Sequence, residues 1–457
     1  MKSYIKKLMI CAGIASCAAG ASAQSTYSGY FLENYDYRFQ MNPAFGNNNG
    51  FVSFPALGNI NIHMRGNLHV SDVIYSLNGK TVLFTNPGIN GKEALGKFGE
   101  KNRLGTNDKI DIMSVGFKAF GGYNTVSLSA IANAEVSVPG AFFSLAKEGI
   151  TNKTYNIENM FGNANAYAQL ALNHSRDIKQ VPGLRVGATL KVLVGAGNVD
   201  FQFNEAKLQL GEDKWIAQTN ADIYASIGGF RYDMDRSKQT GKEYVSGGDL
   251  DDFKPQGFGI GVDLGAQYKW NDLNFSAAVL DLGFINWGKT QWASTNGTQT
   301  IDTDAYIFNA DDNASNSFDN EFDRLKDDLA LLYQLDNNGE IASRTRALAA
   351  TVNLGVEYEL PVYRKLHFGL LNSTRINGRY TWTQFRLSAN VAPVKFFSAD
   401  VNVMAGTYGV GFGWLLNIHP KGFNLFLGMD QTIGKLAKQG VPLNSNASLN
   451  FGIDFPF

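Results

Sequence analysis

Cysteine is nearly absent from this chain. Among its 457 residues only Cys11 and Cys17 are cysteines, and both lie close to the amino end. If that region is removed on export, the remaining chain has no thiol, which excludes a disulfide framework, a thiolate zinc site and a cysteine nucleophile. An exported protein of this length without disulfides must be stabilised by its own core or by a membrane.

Charge and proline are scarce as well. Charged residues make up 18% of the chain and the net charge is −1, so no basic surface indicates binding to nucleic acid. Proline occurs 11 times against 49 glycines, which is typical of neither collagen nor a proline-rich linker protein. A mean hydropathy of −0.17 excludes a bundle of membrane helices. It is compatible with a membrane β-barrel, because the inner face of such a barrel is polar.

The amino-terminal segment has the pattern of an export signal. Lys2, Lys6 and Lys7 precede the apolar run Leu8–Ala15, and Ala21-Ser22-Ala23 forms a small-residue cleavage site. Residues 1–23 are therefore predicted to be a cleaved Sec-type signal peptide. Two alternatives are an uncleaved anchor, for which the apolar run is shorter than the ~20 residues of a spanning helix, and a lipoprotein signal ending at Cys17.

The rest of the sequence is dominated by a period of two. From Phe258 to Trp270, apolar residues alternate with small or polar ones such as Gly261, Asp263 and Gln267, and similar runs recur to the end of the chain. The runs are longer than soluble strands, which average ~5–6 residues, and match the ~9–11 residues of membrane strands. Tyr and Trp gather near the ends of the runs, as in an interfacial girdle. A soluble sandwich or propeller is the alternative that these features disfavour.

These runs predict an all-β, transmembrane antiparallel β-barrel of 14–16 strands over residues 59–457. Short connections alternate with long ones, which indicates short periplasmic turns, long extracellular loops and both barrel ends in the periplasm. One hairpin of this set could lie outside the wall. The candidate strands are 59–70, 110–120, 123–132, 166–174, 184–195, 199–210, 215–227, 258–270, 273–283, 347–358, 366–372, 383–391, 397–405, 408–418, 423–430 and 447–457. The long connections are 71–109, 133–165, 228–257, 284–346 and 431–446.

Two segments do not have the pattern of a wall strand. Residues 24–58 are aromatic without sustained alternation and are predicted to form a hatch or plug inside the barrel, with Asn42-Pro43-Ala44 as a turn and Phe45 beside it. A disordered periplasmic tail is the alternative. Alternate glycines are expected to provide the surface that the plug approaches, namely Gly259, Gly261, Gly411 and Gly413. Within the longest loop, Phe318–Leu335 has the spacing of an amphipathic helix.

Few residues suggest chemistry beyond a polar lumen. His63, Arg65 and Asp263 lie on inner faces and could line a ligand path; an ordinary lumen-facing polar ladder is the alternative. The five histidines have no metalloprotease or zinc-finger spacing, and no nucleophile elbow occurs. The sequence thus predicts no enzyme, no catalytic residue, no metal site and no cofactor.

Several short stretches resemble a known family. Asn42-Pro43-Ala44-Phe45, Phe54–Asn59, Gly257–Tyr268, Asp281–Trp287 and Asn450–Ile453 resemble an uncharacterised family, a domain of unknown function, of Bacteroidota outer-membrane β-barrel proteins. The Asn-Pro-Ala tripeptide is similar, more distantly, to that of the long-chain fatty-acid transporter and type IX secretion barrel superfamily. That resemblance implies an amino-terminal hatch inside the barrel. The terminal aromatic Phe457 resembles the assembly signal that outer-membrane barrels present to their insertion machinery.

The sequence therefore predicts an outer-membrane protein that is embedded in lipid. Its favoured function is passive transport of a hydrophobic or amphipathic small molecule past the hatch. The alternative is a structural barrel subunit of a surface or secretion complex through which no solute passes. Expected partners are outer-membrane lipid, the barrel-insertion machinery, a hydrophobic small-molecule ligand or such a complex, and no nucleic acid.

Overall fold

A computed structural model describes residues 26–148, 152–211, 214–236, 241–302, 334–432 and 445–457. The predicted signal peptide and nearly all of the helix predicted over Phe318–Leu335 lie outside these ranges. Of the helices in the described ranges, none has the length and apolar character needed to cross a membrane.

Most of the described chain is in strands, accompanied by short helices. Three α-helices are described: α1 Val70–Val73, α2 Gly91–Leu95 and α3 Gly140–Glu148. Three 3-10 turns cover Tyr27–Gly29, Arg38–Gln40 and Gly378–Tyr380. The strands are β1 Phe51–Ser53, β2 Asn59–Gly66, β3 Ile74–Leu77, β4 Lys80–Leu83, β5 Lys101–Ala119, β6 Gly122–Pro139, β7 Lys153–Asn156, β8 Phe161–Asp177, β9 Leu184–Leu210, β10 Lys214–Arg236, β11 Glu243–Lys254, β12 Gly257–Trp270, β13 Leu273–Asp302, β14 Asp336–Ala347, β15 Ala350–Glu359, β16 Leu366–Ile376, β17 Trp382–Val394, β18 Phe397–Gly406, β19 Gly409–Ile418, β20 Asn424–Met429 and β21 Ala447–Pro456.

The strands close into an antiparallel barrel. β1 and β2 together form the first strand of the wall and pair with β5 on one side and with the last strand, β21, on the other. The wall has 14 strands, which confirms the all-β transmembrane barrel and falls within the predicted range. Its members are β1 with β2, β5, β6, β8, β9, β12, β13, β15, β16, β17, β18, β19, β20 and β21.

The 16 candidate strands include one hairpin that lies outside the 14-stranded wall, in line with the predicted range of 14–16. The candidates 184–195 and 199–210 are a single continuous strand, β9, because the glycine-containing stretch between them stays extended. β10, which contains the candidate 215–227, pairs with the distal part of β9 and with residues 291–302 of β13. β10 therefore lies between the same two strands as β12, beyond the end of β12. β14 continues the line of β15 in the same way.

Two further boundaries differ from the predictions. The wall begins at Phe51, inside the predicted hatch 24–58, and the short break from Phe54 to Gly58 hides this start from the alternation pattern. The predicted strand 59–70 ends at Gly66, because the amides of Asn67 and Leu68 both bond to the carbonyl of Arg103. The predicted long loops are also partly strand: residues 284–302 belong to β13.

The two faces of the wall have opposite character. Outward side chains are apolar and exposed, for example Leu264 at 51%, Leu387 at 60% and Val403 at 52%. Inward side chains are polar and buried, such as Asn353 and Asn402. A closed sheet with an apolar outer surface is the form in which strands can cross a bilayer, because no backbone group is left unpaired at an edge.

The ends of the barrel differ as well. At one end, called the short-turn end, neighbouring strands are joined by tight connections, for example Phe120-Gly121, whose φ angles of 56° and 73° suit a two-residue hairpin. The other end, called the loop end, carries the long connections. There Phe84, Ala94 and Phe143 form a small apolar core among the helices of the first two loops. The first wall strand begins at the short-turn end, and the last wall strand ends there.

Candidate functional site: the occupied lumen

An amino-terminal segment, residues 26–50, lies inside the barrel at the short-turn half. Its aromatic side chains are buried, and Tyr30, Tyr35 and Tyr37 are 0% exposed. They pack on one another and on wall residues that point inward, including Leu371 and Phe426. The ring centroids of Tyr35 and Phe426 are 4.9 Å apart in an edge-to-face arrangement. The apolar core of the molecule is therefore formed between this segment and the inner wall.

The start of the segment is bonded to the carboxylate of Asp430. The backbone amides of Tyr27 and Ser28 donate to its two oxygens at 2.9 and 2.6 Å, and the Ser28 hydroxyl donates at 2.7 Å. Arg386 lies 3.7 Å from the same carboxylate. The buried charge is thus compensated by a guanidinium and by donors from the segment, which ties the segment to the wall.

The predicted turn Asn42-Pro43-Ala44 is also held against the wall. The Asn42 side chain accepts from the amide of Ala44 at 2.9 Å and donates to the carbonyl of Ala266 at 3.1 Å. Asn173 donates to the carbonyl of Pro43 at 3.2 Å. Phe45 is buried beneath the guanidinium of Arg38, which lies 4.3 Å from the ring centroid. Asn42, Pro43 and Ala44 therefore lie against the inside of the barrel, and Phe45 is buried next to them within the segment.

The glycines that allow this close approach are different from those predicted. A β-carbon at Gly187 would collide with the backbone of Pro43, and one at Gly265 with the side-chain oxygen of Asn42 and the ring of Pro43. A β-carbon at Gly369 would collide with the ring of Phe31. At the predicted positions the nearest atoms belong to the wall or to the 430–431 turn instead. The alternation pattern identifies which glycines face inward, but it does not reveal which strands the segment crosses. The predicted positions were Gly259, Gly261, Gly411 and Gly413.

His63 and Arg65 lie together next to the segment. His63 Nε2 is 3.2 Å from Asn450 Oδ1 and 3.4 Å from Asp430, and its Nδ1 is 3.0 Å from Arg65 Nη2. The Arg65 guanidinium is 4.4 Å from the ring centroid of Trp382. Their exposed fractions are 2% and 6%, so both side chains are enclosed between segment and wall.

Asp263 belongs to a separate group of charges. Lys191 Nζ is 2.7 Å from Asp263 and 2.6 Å from Asp281, and the Asp281 amide donates to Asp263 at 2.7 Å. This group lines the lumen on β9, β12 and β13, whereas His63 and Arg65 lie on β2. The three predicted path residues share the inner face but do not form one site.

Two cavities follow the lumen from the loop end towards the segment. The outer one, called the vestibule, has a volume of about 690 Å³ and is lined by aromatic, amide and charged side chains. The inner one, called the inner cavity, has a volume of about 70 Å³, and Tyr27, Gln40 and Met41 of the segment form part of its lining. The two cavities share lining residues: Asn133, Tyr167, Asp281 and Arg375.

Amide side chains form a hydrogen-bonded row along the vestibule wall. Asn107 donates to Asn133 at 3.1 Å, Asn133 to Asn165 at 3.0 Å, and Asn165 to Asn163 at 2.8 Å. Asn163 then donates to Asp200 at 2.6 Å. The row satisfies polar groups of three neighbouring strands while leaving a polar surface towards the cavity.

The far end of the vestibule combines charge with aromatic rings. Asp200 pairs with Arg344 and with Arg346, the latter at 3.0 Å, and Arg344 lies 3.9 Å from the ring centroid of Tyr224. Tyr380 donates to the carbonyl of Glu135 at 2.8 Å, and burial raises the pKa of its hydroxyl, which therefore stays protonated. Sequence reasoning missed these residues because they come from distant strands. The sequence pattern that could have identified them is the i, i+2 spacing of Asn163 with Asn165 and of Arg344 with Arg346, which places each pair on one face of a strand.

The described residues do not bring three or more His, Cys, Asp or Glu side chains together as a set of metal ligands. What the arrangement provides is a solute-sized polar and aromatic cavity above an occupied lumen.

A closed barrel with an apolar outer face and a buried amino-terminal segment defines the class: a transmembrane β-barrel. The chain belongs to the family of unknown function DUF5723, whose model matches residues 43–430. The expected membership of a family without a settled function is thereby confirmed, whereas the relation to type IX secretion barrels stays a prediction. No curated protein matches the sequence.

Solved structures of other barrels have a broadly similar course. They include the TodX deltaS2S3 mutant monoaromatic hydrocarbon channel, at 9% identity and a TM-score of 0.41, covering 95% of this chain and 97% of that chain. A Pseudomonas aeruginosa FadL homologue has 10% identity, a TM-score of 0.37 and coverages of 95% and 98%. The translocator domain of the autotransporter NalP from Neisseria meningitidis has 9% identity, a TM-score of 0.33 and coverages of 95% and 100%. No functional conclusion follows from likenesses at this level.

Proposed function

We propose that this protein is a passive transport barrel of the bacterial outer membrane. The loop end would face the medium and the short-turn end the periplasm, which is the orientation that long loops and short turns have in such barrels. The solute would enter the vestibule from outside and be driven by its own concentration gradient. The observation that carries the proposal is the pair of cavities that leads to the amino-terminal segment.

The lining of the vestibule supports a hydrophobic or amphipathic solute. Phe161, Tyr167 and Trp287 provide apolar surface, while the amide row and Arg346 provide polar contacts on the same cavity. Ligand sites that hold small molecules commonly combine apolar walls with a few polar groups that set the orientation. A volume of about 690 Å³ lies within the range of such sites.

The amino-terminal segment is the proposed gate. A barrel of 14 strands encloses more space than its own inward side chains fill. The segment occupies the short-turn half of that space, and its residues Tyr27, Gln40 and Met41 lie at the base of the inner cavity. Passage to the periplasm would therefore require the segment to shift.

Deletion of residues 25–50 tests this proposal and leaves the predicted cleavage site intact. In planar bilayers the intact barrel is expected to conduct weakly, and the deletion variant is expected to form an open, weakly selective pore. The control is Asn48→Ala, an exposed position of the same segment, which should conduct like the wild type. Equal conductance of the deletion variant and the wild type would reject gated transport and favour the structural barrel subunit of a surface or secretion complex.

A further inference from the structure

Arg375 is buried at the point where the vestibule meets the inner cavity. Its side chain is 9% exposed and lines both cavities. Among the described residues it has no hydrogen-bond or ion-pair partner, and its Nε atom is buried without an acceptor. A guanidinium carries five donors and stays charged, so a buried one without partners is costly to the protein.

The neighbouring carboxylates are already bound to other groups. Asp281 is 2.6 Å from Lys191 Nζ, and Glu135 accepts from Asn377 at 2.6 Å. Arg375 therefore has unused donors that face the space a solute would occupy.

An apolar surface lies on the same stretch of lumen. Tyr167, Leu193, Ile285 and Trp287 form an inward-facing cluster, against which Leu348 packs. Tyr167 lines both cavities together with Arg375, and Ile285, Trp287 and Leu348 line the vestibule. The junction thus places the guanidinium of Arg375 beside a surface of aromatic and aliphatic side chains, called the Trp287 cluster.

We propose that this junction is a binding site for a small organic anion, with its carboxylate or phosphate group on Arg375 and its apolar body on the Trp287 cluster. The planar guanidinium matches both acid groups in a bidentate geometry. The role of this site in transport rests on the proposed function, because the anion would be the transported solute, bound next to the amino-terminal segment. The binding itself is measured independently of transport.

The test uses the intact protein in a non-ionic detergent and isothermal titration calorimetry with three probes of similar shape. Benzoate and phenyl phosphate carry the two acid groups, and benzyl alcohol is the neutral counterpart. The wild type is expected to bind at least one anion roughly 10- to 100-fold more tightly than benzyl alcohol, since hydrogen bonds to charged groups contribute that much discrimination. The relative affinities of the two anions distinguish a carboxylate ligand from a phosphate ligand.

Arg375→Gln should remove this preference while leaving the affinity for benzyl alcohol unchanged. The matched control is Arg364→Gln at the short-turn end, where Arg364 is exposed and pairs with Glu359 at 2.9 Å; it should keep the wild-type preference. Absence of any preference for an anion in the wild type, or its persistence in Arg375→Gln, overturns the inference.

A second variant covers the case in which Arg375→Gln does not assemble. Arg375→Lys keeps the charge but cannot form two parallel hydrogen bonds to the acid group, so the affinity for the anions should fall several-fold. Unchanged anion affinity in this variant also overturns the inference. If deletion of residues 25–50 leaves conductance unchanged while Arg375→Gln loses anion binding, gated transport fails and the anion site stands.

Discussion

At the scale of single residues, Asn42 connects the amino-terminal segment to two strands of the wall. Its amide nitrogen donates to the carbonyl of Ala266 on β12 and to that of Ala277 on β13, at 3.1 and 3.4 Å. Its amide oxygen accepts from Ala44 two residues along, which is the local bond that makes asparagine favourable at the start of a turn. One buried side chain thus orders the turn and holds it against the lumen surface.

Asn42→Ala should therefore loosen the segment without changing the barrel. We expect a loss of about 1–3 kcal/mol in the stability of the docked segment, because buried partners lose their hydrogen bonds. Protease cleavage within residues 26–50 of the reconstituted protein measures this effect and should accelerate. Asn48→Ala, at an exposed position, is the control. An unchanged cleavage rate in Asn42→Ala would show that the turn does not hold the segment.

Sequence reasoning was most successful where residue chemistry is local. The Asn-Pro-Ala turn needs only its own side chain and backbone, so it could be predicted from three residues. The glycines opposite it could not, because the crossing of segment and strand depends on contacts far apart in sequence. The same limit applies to His63 and Asp263: the alternation predicts their common inward direction, but not their separation around the wall. Arg375 has no local pattern that distinguishes it from other inward arginines.

At the scale of elements, the alternation predicts which face of each strand contacts lipid. Leu264 on β12 is 51% exposed on the outer surface, whereas its neighbour Asp263 is buried in the lumen. The pattern works because the apolar medium lies outside and the polar one inside along the whole membrane-spanning part. Beyond the membrane both faces of a strand contact water, so neither face requires apolar residues and the alternation of apolar and polar residues disappears. Residues 284–302 of β13 were predicted as loop for this reason, whereas the distal part of β9 was predicted as a separate strand because a glycine-containing stretch precedes it.

Leu264→Arg should destabilise the barrel by roughly 2–4 kcal/mol, since an arginine facing the bilayer core must leave water. Unfolding by denaturant in lipid vesicles measures this change as a shift of the midpoint. Tyr268→Arg, nearer the short-turn end of the same outer face, is the matched control and should cost less, because the penalty falls towards the interface. Equal midpoints for Leu264→Arg and the wild type would contradict the assigned face.

At the scale of the whole molecule, the barrel has a core as well as a wall. The aromatic cluster of the amino-terminal segment packs on Leu371, Leu415 and Phe426 from the inside. The composition predicted burial for these aromatics, the alternating runs predicted the barrel, and the connection lengths predicted which of its ends carries the long loops. The strand number could not be read directly from the sequence, because β10 has the pattern of a wall strand while lying in line with β12.

The carboxyl-terminal residues provide a test of assembly. The amide of Phe457 donates to the carbonyl of Gly50 at 2.9 Å, and the residue is 71% exposed at the short-turn end. We predict that deletion of residues 455–457 leaves the precursor exported but not assembled, because the insertion machinery would lose its terminal aromatic signal. Heat-modifiable mobility and protease resistance of the outer-membrane fraction report assembly. Phe457→Tyr, which keeps an aromatic ring, is the control, and a normally folded deletion variant would refute the role.

The pairing of the first wall strand with the last has a consequence for the order of folding. The amide of Tyr27 and the carboxylate of Asp430 that it bonds are 403 residues apart in the chain. Contacts of such separation form slowly, because a long loop must be closed before they contribute any stability. Until β21 is available, β1 and β2 lack one neighbour and the sheet keeps open edges that can pair with other chains. We therefore expect the open edges to be exposed until the two ends of the chain meet, so that residues near the ends, rather than the centre, govern how long the exposure lasts.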